Sequence, residues 1–257
     1  MSELDVLKRR IMKLESMIEV LYDELVDNKL FCPVCKNDIR VFLPTDGGGE
    51  QIRRNAICPV CKCGERDRMI YTIWEQRKIF SDRNIKFLHI APEKQFVDKF
   101  KKMENIDYYP CDINVDVYGV EHQVDVTNIQ FQDKMFDIIM CSNVIEHVQE
   151  DKLAMKELYR VLKDDGIAFI DVPVFYDLQR TLENVDGVTT PELQKKIYGW
   201  RGHVRKYGRD YKERLEEVGF KVEEITTNDI EKSYAKKIGI LGNELAANYR
   251  IHLCRKI

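Results

Sequence analysis

The chain has 257 residues, long enough to bury a sizeable core, and its 44% apolar and 33% charged residues are ordinary for a water-soluble globular protein. A net charge of -3 argues against a general nucleic-acid binder, and no apolar run reaches the roughly 20 residues that span a bilayer. The charged opening MSELDVLKRRIMKLE has no signal-peptide core, so the expected compartment is the cytoplasm, where the eight cysteines would stay reduced.

Residues 1–29 carry an apolar repeat. Leu4, Leu7, Ile11, Leu14, Ile18, Leu21 and Leu25 are spaced alternately by three and four, which is an a/d heptad seam. Isoleucine at the inner a positions with leucine at d favours a parallel two-stranded coiled coil, hence a homodimer. Arg10 at g and Glu15 at the following e are in register for an interchain ion pair. The alternative is a helix folded back on its own domain. The seam is short and marginal alone.

Residues 30–66 hold Cys32-Pro-Val-Cys35 and Cys58-Pro-Val-Cys61, with 22 residues between Cys35 and Cys58. Each CxxC turn lets two thiolates reach one ion, and two such turns complete the closed tetrahedral site of structural zinc. A segment this small lacks a core, so the metal would supply its folding energy. The stretch between the pairs, with alternation in IRVFL and a glycine triplet at 47–49, suits a hairpin. Cys63 offers a spare thiol that could replace Cys61. Arg40, Arg53, Arg54, Arg66 and Arg68 could form a local basic patch.

Residues 67–257 form the third domain. A helix is expected over Asp67–Phe80, with Met69, Ile70, Ile73, Trp74 and Phe80 as its apolar face. Strands are expected over Lys86–Ile90, Ile106–Cys111, His122–Val126, Phe136–Cys141, Gly166–Val172, Lys221–Thr226 and Asn248–Cys254. Helices are expected over Glu93–Met103, Asp151–Leu162, Pro191–Tyr198, Tyr211–Val218 and near Ile230–Ile238. Alternating strands and helices indicate an α/β fold with a mostly parallel sheet covered on both faces.

Ligands of open α/β sheets bind beyond the carboxyl ends of the strands. There stand Ala91-Pro92-Glu93, then Asp112, then Asp125-Val126, then CSNVIEHV from Cys141. A carboxylate at the place of Asp112 can accept both hydroxyls of a ribose.

FDIIMCSNVIEHV followed by LAMKELYRVLKDDGIAFIDVPV resembles the middle of a class I S-adenosylmethionine-dependent methyltransferase. The resemblance covers roughly Lys86 to the end and is narrower still to type 11-like bacterial enzymes with an N-terminal CPVC…CPVC ribbon. It implies a Rossmann-like seven-stranded sheet whose last strand is antiparallel, preceded by the coiled-coil helix and zinc ribbon. It implies that Asp112, with Ile113 beside it, holds the ribose, that Asp125 and Val126 lie by the adenine, and that Cys141, Ser142 and Asn143 line the methyl-transfer site. Such sequences often accompany glycan or surface-polymer gene clusters, which points to a small-molecule or glycan-type acceptor.

The departure is FLHIAPEKQF. The family usually has an acid and a glycine-rich loop here; this chain has His89 and Ala91-Pro92-Glu93, with no glycine between Gly64 and Gly119. Glu93 and backbone N–H groups at the start of the following helix could still meet the amino acid part of the cofactor. If they do not, the chain is a catalytically inactive adaptor working through its coiled coil and ribbon. A nicotinamide-dependent oxidoreductase is opposed by the missing GxGxxG.

For the reaction, a hydroxyl acceptor needs a base, and His147, or His203 with Tyr207 near it, is placed in the sequence to provide one. Metal-assisted relatives show E-x-x-E-H, whereas here Asn143 replaces the first acid, so one hard ligand is missing. The insertion at 175–201 would lie over the substrate, and its Arg180, Glu183, Tyr198, Trp200 and Arg201 suit a polar or anionic acceptor; the alternative is a lid with Trp200 as its core.

Overall fold

The computed structural model describes residues 3–23, 30–45, 52–81, 84–241 and 249–256. Leu25, the glycine triplet at 47–49 and Asn248 lie outside the described residues. The chain divides into two units: residues 1–79 with 226–249, and residues 80–225 with 250–257.

The first unit begins with α1 (Glu3–Asp23), the helix that the heptad spacing predicts. Its six described seam residues, Leu4, Leu7, Ile11, Leu14, Ile18 and Leu21, are 50–60% exposed. The face turned inward is a different one: Ser16 is buried, and α1 lies against β3 (Leu43–Thr45).

Two short hairpins follow. β1 (Leu30–Cys32) pairs antiparallel with β2 (Asn37–Ile39), and β3 pairs antiparallel with β4 (Arg53–Ile57). Both CPVC segments turn alike. Lys36 N–H donates to Cys32 O at 2.9 Å and Lys62 N–H to Cys58 O at 3.0 Å. The lysine ending each turn is left-handed, with φ 59° at Lys36 and 64° at Lys62.

The expected helix begins earlier and ends sooner, as α2 (Glu65–Gln76). It begins at Gly64, whose N–H donates to the Asp67 carboxylate at 2.8 Å. Met69, Ile70, Ile73 and Trp74 are buried, as the spacing predicts. Phe80 lies beyond the helix and stacks on Phe87 and Phe100 in the second unit. The late helix is α7 (Lys232–Lys237), capped by the Glu231 carboxylate and set against β1.

Two of the five arginines of the expected basic patch are otherwise engaged. Arg68 is fully buried and its guanidinium donates to the carbonyls of Ile238, Ala56, Cys63, Asn55 and Gly239 at 2.6–3.4 Å, while stacking 3.8 Å over the Phe42 ring. Arg53 is paired with Glu65 at 2.8 Å.

The second unit is built on seven strands: β5 (Ile85–Ile90), β6 (Ile106–Asp112), β7 (His122–Gln123), β8 (Phe136–Ser142), β9 (Leu162–Asp171), β12 (Phe220–Ile225) and β13 (Ile251–Lys256). Their order is β12-β13-β9-β8-β5-β6-β7. All neighbours run parallel except β13, which is antiparallel to both β9 and β12. This is the Rossmann-like methyltransferase sheet with its antiparallel last strand. The crossover helices are α3 (Lys94–Phe100), α4 (Asp151–Val161) and α6 (Tyr211–Glu216). β8 is buried along its whole length, as a central strand between helical layers must be.

Two elements differ from expectation. The third strand stops at Gln123, because Thr127 N–H and its hydroxyl both donate to the Asp125 carboxylate, at 2.8 and 2.7 Å, and turn the chain. The KDDG stretch is part of β9 rather than a turn before it. Phe136 pairs with Leu162 but Ile138 already pairs with Ile167, so residues 163–166 bulge out of register.

The 175–201 insertion has structure of its own. β10 (Leu182–Glu183) pairs antiparallel with β11 (Arg205–Lys206), and between them stands α5 (Pro191–Tyr198), capped by Thr190 and closed by Gly199 at φ 95°.

Candidate functional site

In the second unit the first loop after β5 is bent without glycine. Ala91 takes φ 50°, and its N–H donates to Cys111 O at 2.7 Å. A residue with a Cβ is strained there, and the strain is held by the neighbouring strand. His89 is fully buried, its Nδ1 2.9 Å from the Tyr108 hydroxyl and its Nε2 3.1 Å from Glu93 Oε2. It therefore braces the loop from below, and Glu93 is tied to it. Pro92 is buried between them.

At the end of β6, Asp112 Oδ1 accepts from Asn114 N–H at 2.9 Å, which orients the carboxylate and leaves Oδ2 without a partner among the described residues. Beside it, Ile113, Val115, Val117 and Tyr118 form an exposed apolar run. Asp125 is exposed with its Oδ1 fixed by Thr127, and Val126 is buried.

At the end of β8, Cys141 is fully buried and its side chain belongs to the core cluster with Ile90, Cys111 and Ile170. Burial pushes its thiol well above the usual range. Its sulfur packs within the sheet's core. Ser142 is 6% exposed and its hydroxyl has no partner among the described residues. A buried hydroxyl without a partner costs about 1–3 kcal/mol, so it is a position where a bound ligand would restore what folding removed. Asn143 follows at φ 55°, its N–H donating to Asp171 O at 2.8 Å.

The CSNVIEHV segment then makes a single 3-10 turn, Ile145–His147. The chain entering β11 crosses it: Val204 N–H donates to Glu146 O at 2.9 Å. This brings His203 to His147, with ring centroids 4.7 Å apart and nearly perpendicular. Glu146 Oε1 lies 4.0 Å from His203 Nε2. Burial first, and the neighbouring His147 second, hold His203 down at about 4, so it is neutral at pH 7. His147 itself is exposed.

Tyr207 does not join them. It is fully buried, its hydroxyl donates to Asp151 at 2.9 Å, and it belongs to the core, so its expected catalytic role is corrected to a structural one. Around it lies a charged network that the sequence reading missed. Arg205 is 3% exposed; it donates to the carbonyls of Ile145 (3.2 Å), Val148 and Gln149 (2.7 Å) and pairs with Glu183 at 3.0 Å. Arg214 bridges Asp151 (2.9 Å) and Glu183. Burial pushes the Glu183 carboxyl up, but hydrogen bonds from Arg214 and Arg205 outweigh it and leave it below the usual range. Glu183 is thus a scaffold residue. Tyr198 is also buried, its hydroxyl accepting from Val185 N–H at 3.1 Å. Trp200, at 38% exposure, is not the core of the insertion, and Arg201 is exposed beside it.

A second missed group spans β9, β13 and β12. His252 N–H and Nδ1 contact Asp171 Oδ1 at 2.7 and 3.2 Å, and Nε2 lies 3.7 Å from Glu224. Burial would push this imidazole down, but its bonds to Asp171 and Glu224 win and raise it. The only sequence signal was polar residues inside otherwise apolar strands.

In the first unit the thiols of Cys32, Cys58, Cys61 and Cys63 lie mutually within 4.8 Å. Cys32 Sγ is 3.7 Å from Cys61 Sγ and 3.5 Å from Cys63 Sγ, and Cys35 Sγ is 3.9 Å from Cys58 Sγ. Cys32, Cys58, Cys61 and Cys63 are thus the mutually close quartet, and Cys35 is a fifth thiol beside Cys58. Hydrogen bonds from Cys32 and then Cys63 hold the Cys61 thiol down at about 5.

Residues 78–170 match a methyltransferase-domain family model. The matched stretch runs from the end of the first unit into β9 and contains Asp112, Asp125, Ser142 and His147. No curated protein matches the chain. Among solved structures the chain is similar to the [4+2]-cyclase SpnF (17% identity, 74% of this chain and 81% of that one, TM-score 0.49). It is similar also to a putative methyltransferase from Bacillus halodurans C-125 (19% identity, 71% and 97%, TM-score 0.45). A third is an S-adenosylmethionine-dependent methyltransferase from Archaeoglobus fulgidus (16% identity, 76% and 95%, TM-score 0.46). The fold itself rests on the strand order and the antiparallel β13.

Proposed function

We propose that the chain is an S-adenosylmethionine-dependent methyltransferase acting on a small-molecule or glycan-type acceptor. The observation that carries this reading is the set of groups at the ends of the two strands that flank β5: the oriented carboxylate of Asp112 closing β6, and the buried hydroxyl of Ser142 closing β8, without a partner among the described residues. Asp112 accepts the ribose hydroxyls, and Asp125 and Val126 border the adenine, with the exposed Ile113 against its face. Bound there, the cofactor would supply an electrophilic methyl on a sulfonium.

The chain's own residues do the rest. Asn143, exposed and left-handed at the end of β8, faces the transfer point together with Ser142. For a hydroxyl acceptor the proton goes to His147, since His203 at about 4 forms its conjugate acid poorly at neutral pH. Trp200 and Arg201, exposed on the insertion, suit a sugar or an anionic group. A glycine-free first loop is compatible with this, because His89 and the β6 strand fix its path through Glu93 and Ala91 instead.

Calorimetry with S-adenosylhomocysteine tests the reading. Saturable binding is expected, weakened in Asp112→Ala by about 1–3 kcal/mol for loss of a hydrogen-bonded charged group. Absence of binding by the wild-type chain would leave the adaptor reading in place.

The thiol cluster holds structural zinc, because a closed shell of thiolates suits that ion and leaves no open position for chemistry. All eight cysteines are free, which suits the cytoplasm. The exposed seam of α1 pairs with the same seam of a second copy. Six large aliphatic side chains in one stripe are otherwise left in water, and Arg10 and Glu15 flank the stripe with opposite charges. Sedimentation should give a dimer that Ile11→Lys with Ile18→Lys converts to monomer; an unchanged mass in that variant would refute the coiled coil.

A further inference from the structure

We infer that Asp171 and Ser142 bind the ammonium group of the cofactor's amino acid part. This rests on the methyltransferase reading. It supplies from β9 the acid that the first loop lacks, since the Glu93 carboxylate there is bonded to His89.

Strand register lays out the site. Cys111, Ile90, Cys141 and Ile170 stand side by side across β6, β5, β8 and β9. The next residues along these strands are Asp112, Ala91, Ser142 and Asp171, which make one row across the carboxyl end of the sheet. Ser142 and Asp171 are themselves a register pair. The two ends of the row are carboxylates three strand spacings apart, about 14 Å at about 4.8 Å each. In the cofactor, eight bonds separate a ribose hydroxyl oxygen from the amino nitrogen, about 9 Å when extended. A hydrogen bond of about 2.8 Å at each end brings the reach to about 15 Å. With the ribose on Asp112, the ammonium therefore reaches Asp171.

The groups at that end are prepared for a donor. Asp171 is 1% exposed, and its Oδ1 accepts from His252 N–H at 2.7 Å and faces His252 Nδ1 at 3.2 Å, which fixes the carboxylate. Its Oδ2 is buried without a partner among the described residues, and so is the Ser142 hydroxyl. Two oxygens on adjacent strands thus await one group with several N–H donors, and an ammonium has three. Asn143, the next residue after Ser142, is exposed and marks the way in. The charge agrees. After burial, the fields of Glu146, Asp171 and Glu93 push the Cys141 thiol up, so three carboxylates act on the end of β8 and favour a cation there.

Calorimetry on the full-length protein with two probes tests this. One is S-adenosylhomocysteine. The other is 5′-methylthioadenosine, which keeps the nucleoside and the thioether but has no amino acid part. Asp171→Asn keeps the acceptor for His252 N–H and removes the charge. It should weaken S-adenosylhomocysteine by about tenfold or more, the worth of a hydrogen bond to a charged group, and leave methylthioadenosine unchanged. Ser142→Ala removes no bond within the protein among the described residues, and it should weaken S-adenosylhomocysteine alone, by several-fold. Should Asp171→Asn fail to fold, Ser142→Ala decides. Unchanged affinity for S-adenosylhomocysteine in the variants, or equal weakening of both probes, would overturn the inference while the cofactor reading stands. If the wild-type chain binds neither probe, both fall together.

Discussion

Cys32→Ser is expected to empty the thiol cluster of metal and unfold the hairpins around it. Cys32 is fully buried, and it belongs both to the mutually close quartet of thiols and to the first CPVC pair. The strands it would staple have three to five residues each, too short to hold without a staple. Structural zinc contributes on the order of 10–16 kcal/mol to the folding of small thiolate modules, so no other single change in this unit should cost as much. Metal content by mass spectrometry and protease sensitivity of the hairpins are the measurements, and the seven-stranded sheet should keep its circular dichroism. Full zinc occupancy in Cys32→Ser would refute the site. Cys35→Ser and Cys63→Ser divide the remaining question, because only the variant that removes a true ligand should lose the ion.

Arg68→Met should be the next most damaging. The side chain is fully buried, and its five N–H donors serve carbonyls of β4, of the turn after it, and of the segment after α7. Methionine keeps an apolar stem but lacks the guanidinium that lies over Phe42, and it leaves those carbonyls buried without donors. A loss of about 3–5 kcal/mol is expected, because several buried carbonyls lose their donors at about 1–3 kcal/mol each and some find new ones. Arg68→Lys should rescue little, since a single ammonium cannot span carbonyls that a planar fork reaches on separate sides. Denaturant unfolding of the first unit reads this directly. Stability within about 1 kcal/mol of wild type in Arg68→Met would show that the carbonyls are satisfied in some other way.

Arg68 also shows where reading residues one at a time stops. In sequence it is one of five arginines near two CPVC pairs, and composition makes it a surface cation. Its partners lie at positions 55, 56, 63, 238 and 239, and no local pattern connects the first three to the last two. Tyr207 errs in the same way: proximity to His203 in sequence suggested chemistry, whereas alternation on the chain entering α6 turns its ring into the core, onto Asp151. The 3-10 turn after β8 was legible as a site segment, but the histidine that meets it, His203, comes from beyond a 27-residue insertion and could not be joined to Glu146 by spacing.

By itself the sequence determined whatever depends on local periodicity and on short spacings. The heptad predicts α1, the CPVC pairs predict two like turns, and apolar runs between helical segments predict the parallel strands, because side-chain direction repeats every 3.6 or 2 residues whatever the rest of the chain does. The tertiary structure alone decided which distant groups meet: five thiols rather than four at the cluster, Arg68 inside rather than outside, and His203 brought against Glu146 and His147. Those contacts depend on how strands order in the sheet and where the loops between them cross. The free energy that sets them is spread over the whole core, so no short stretch of residues records it.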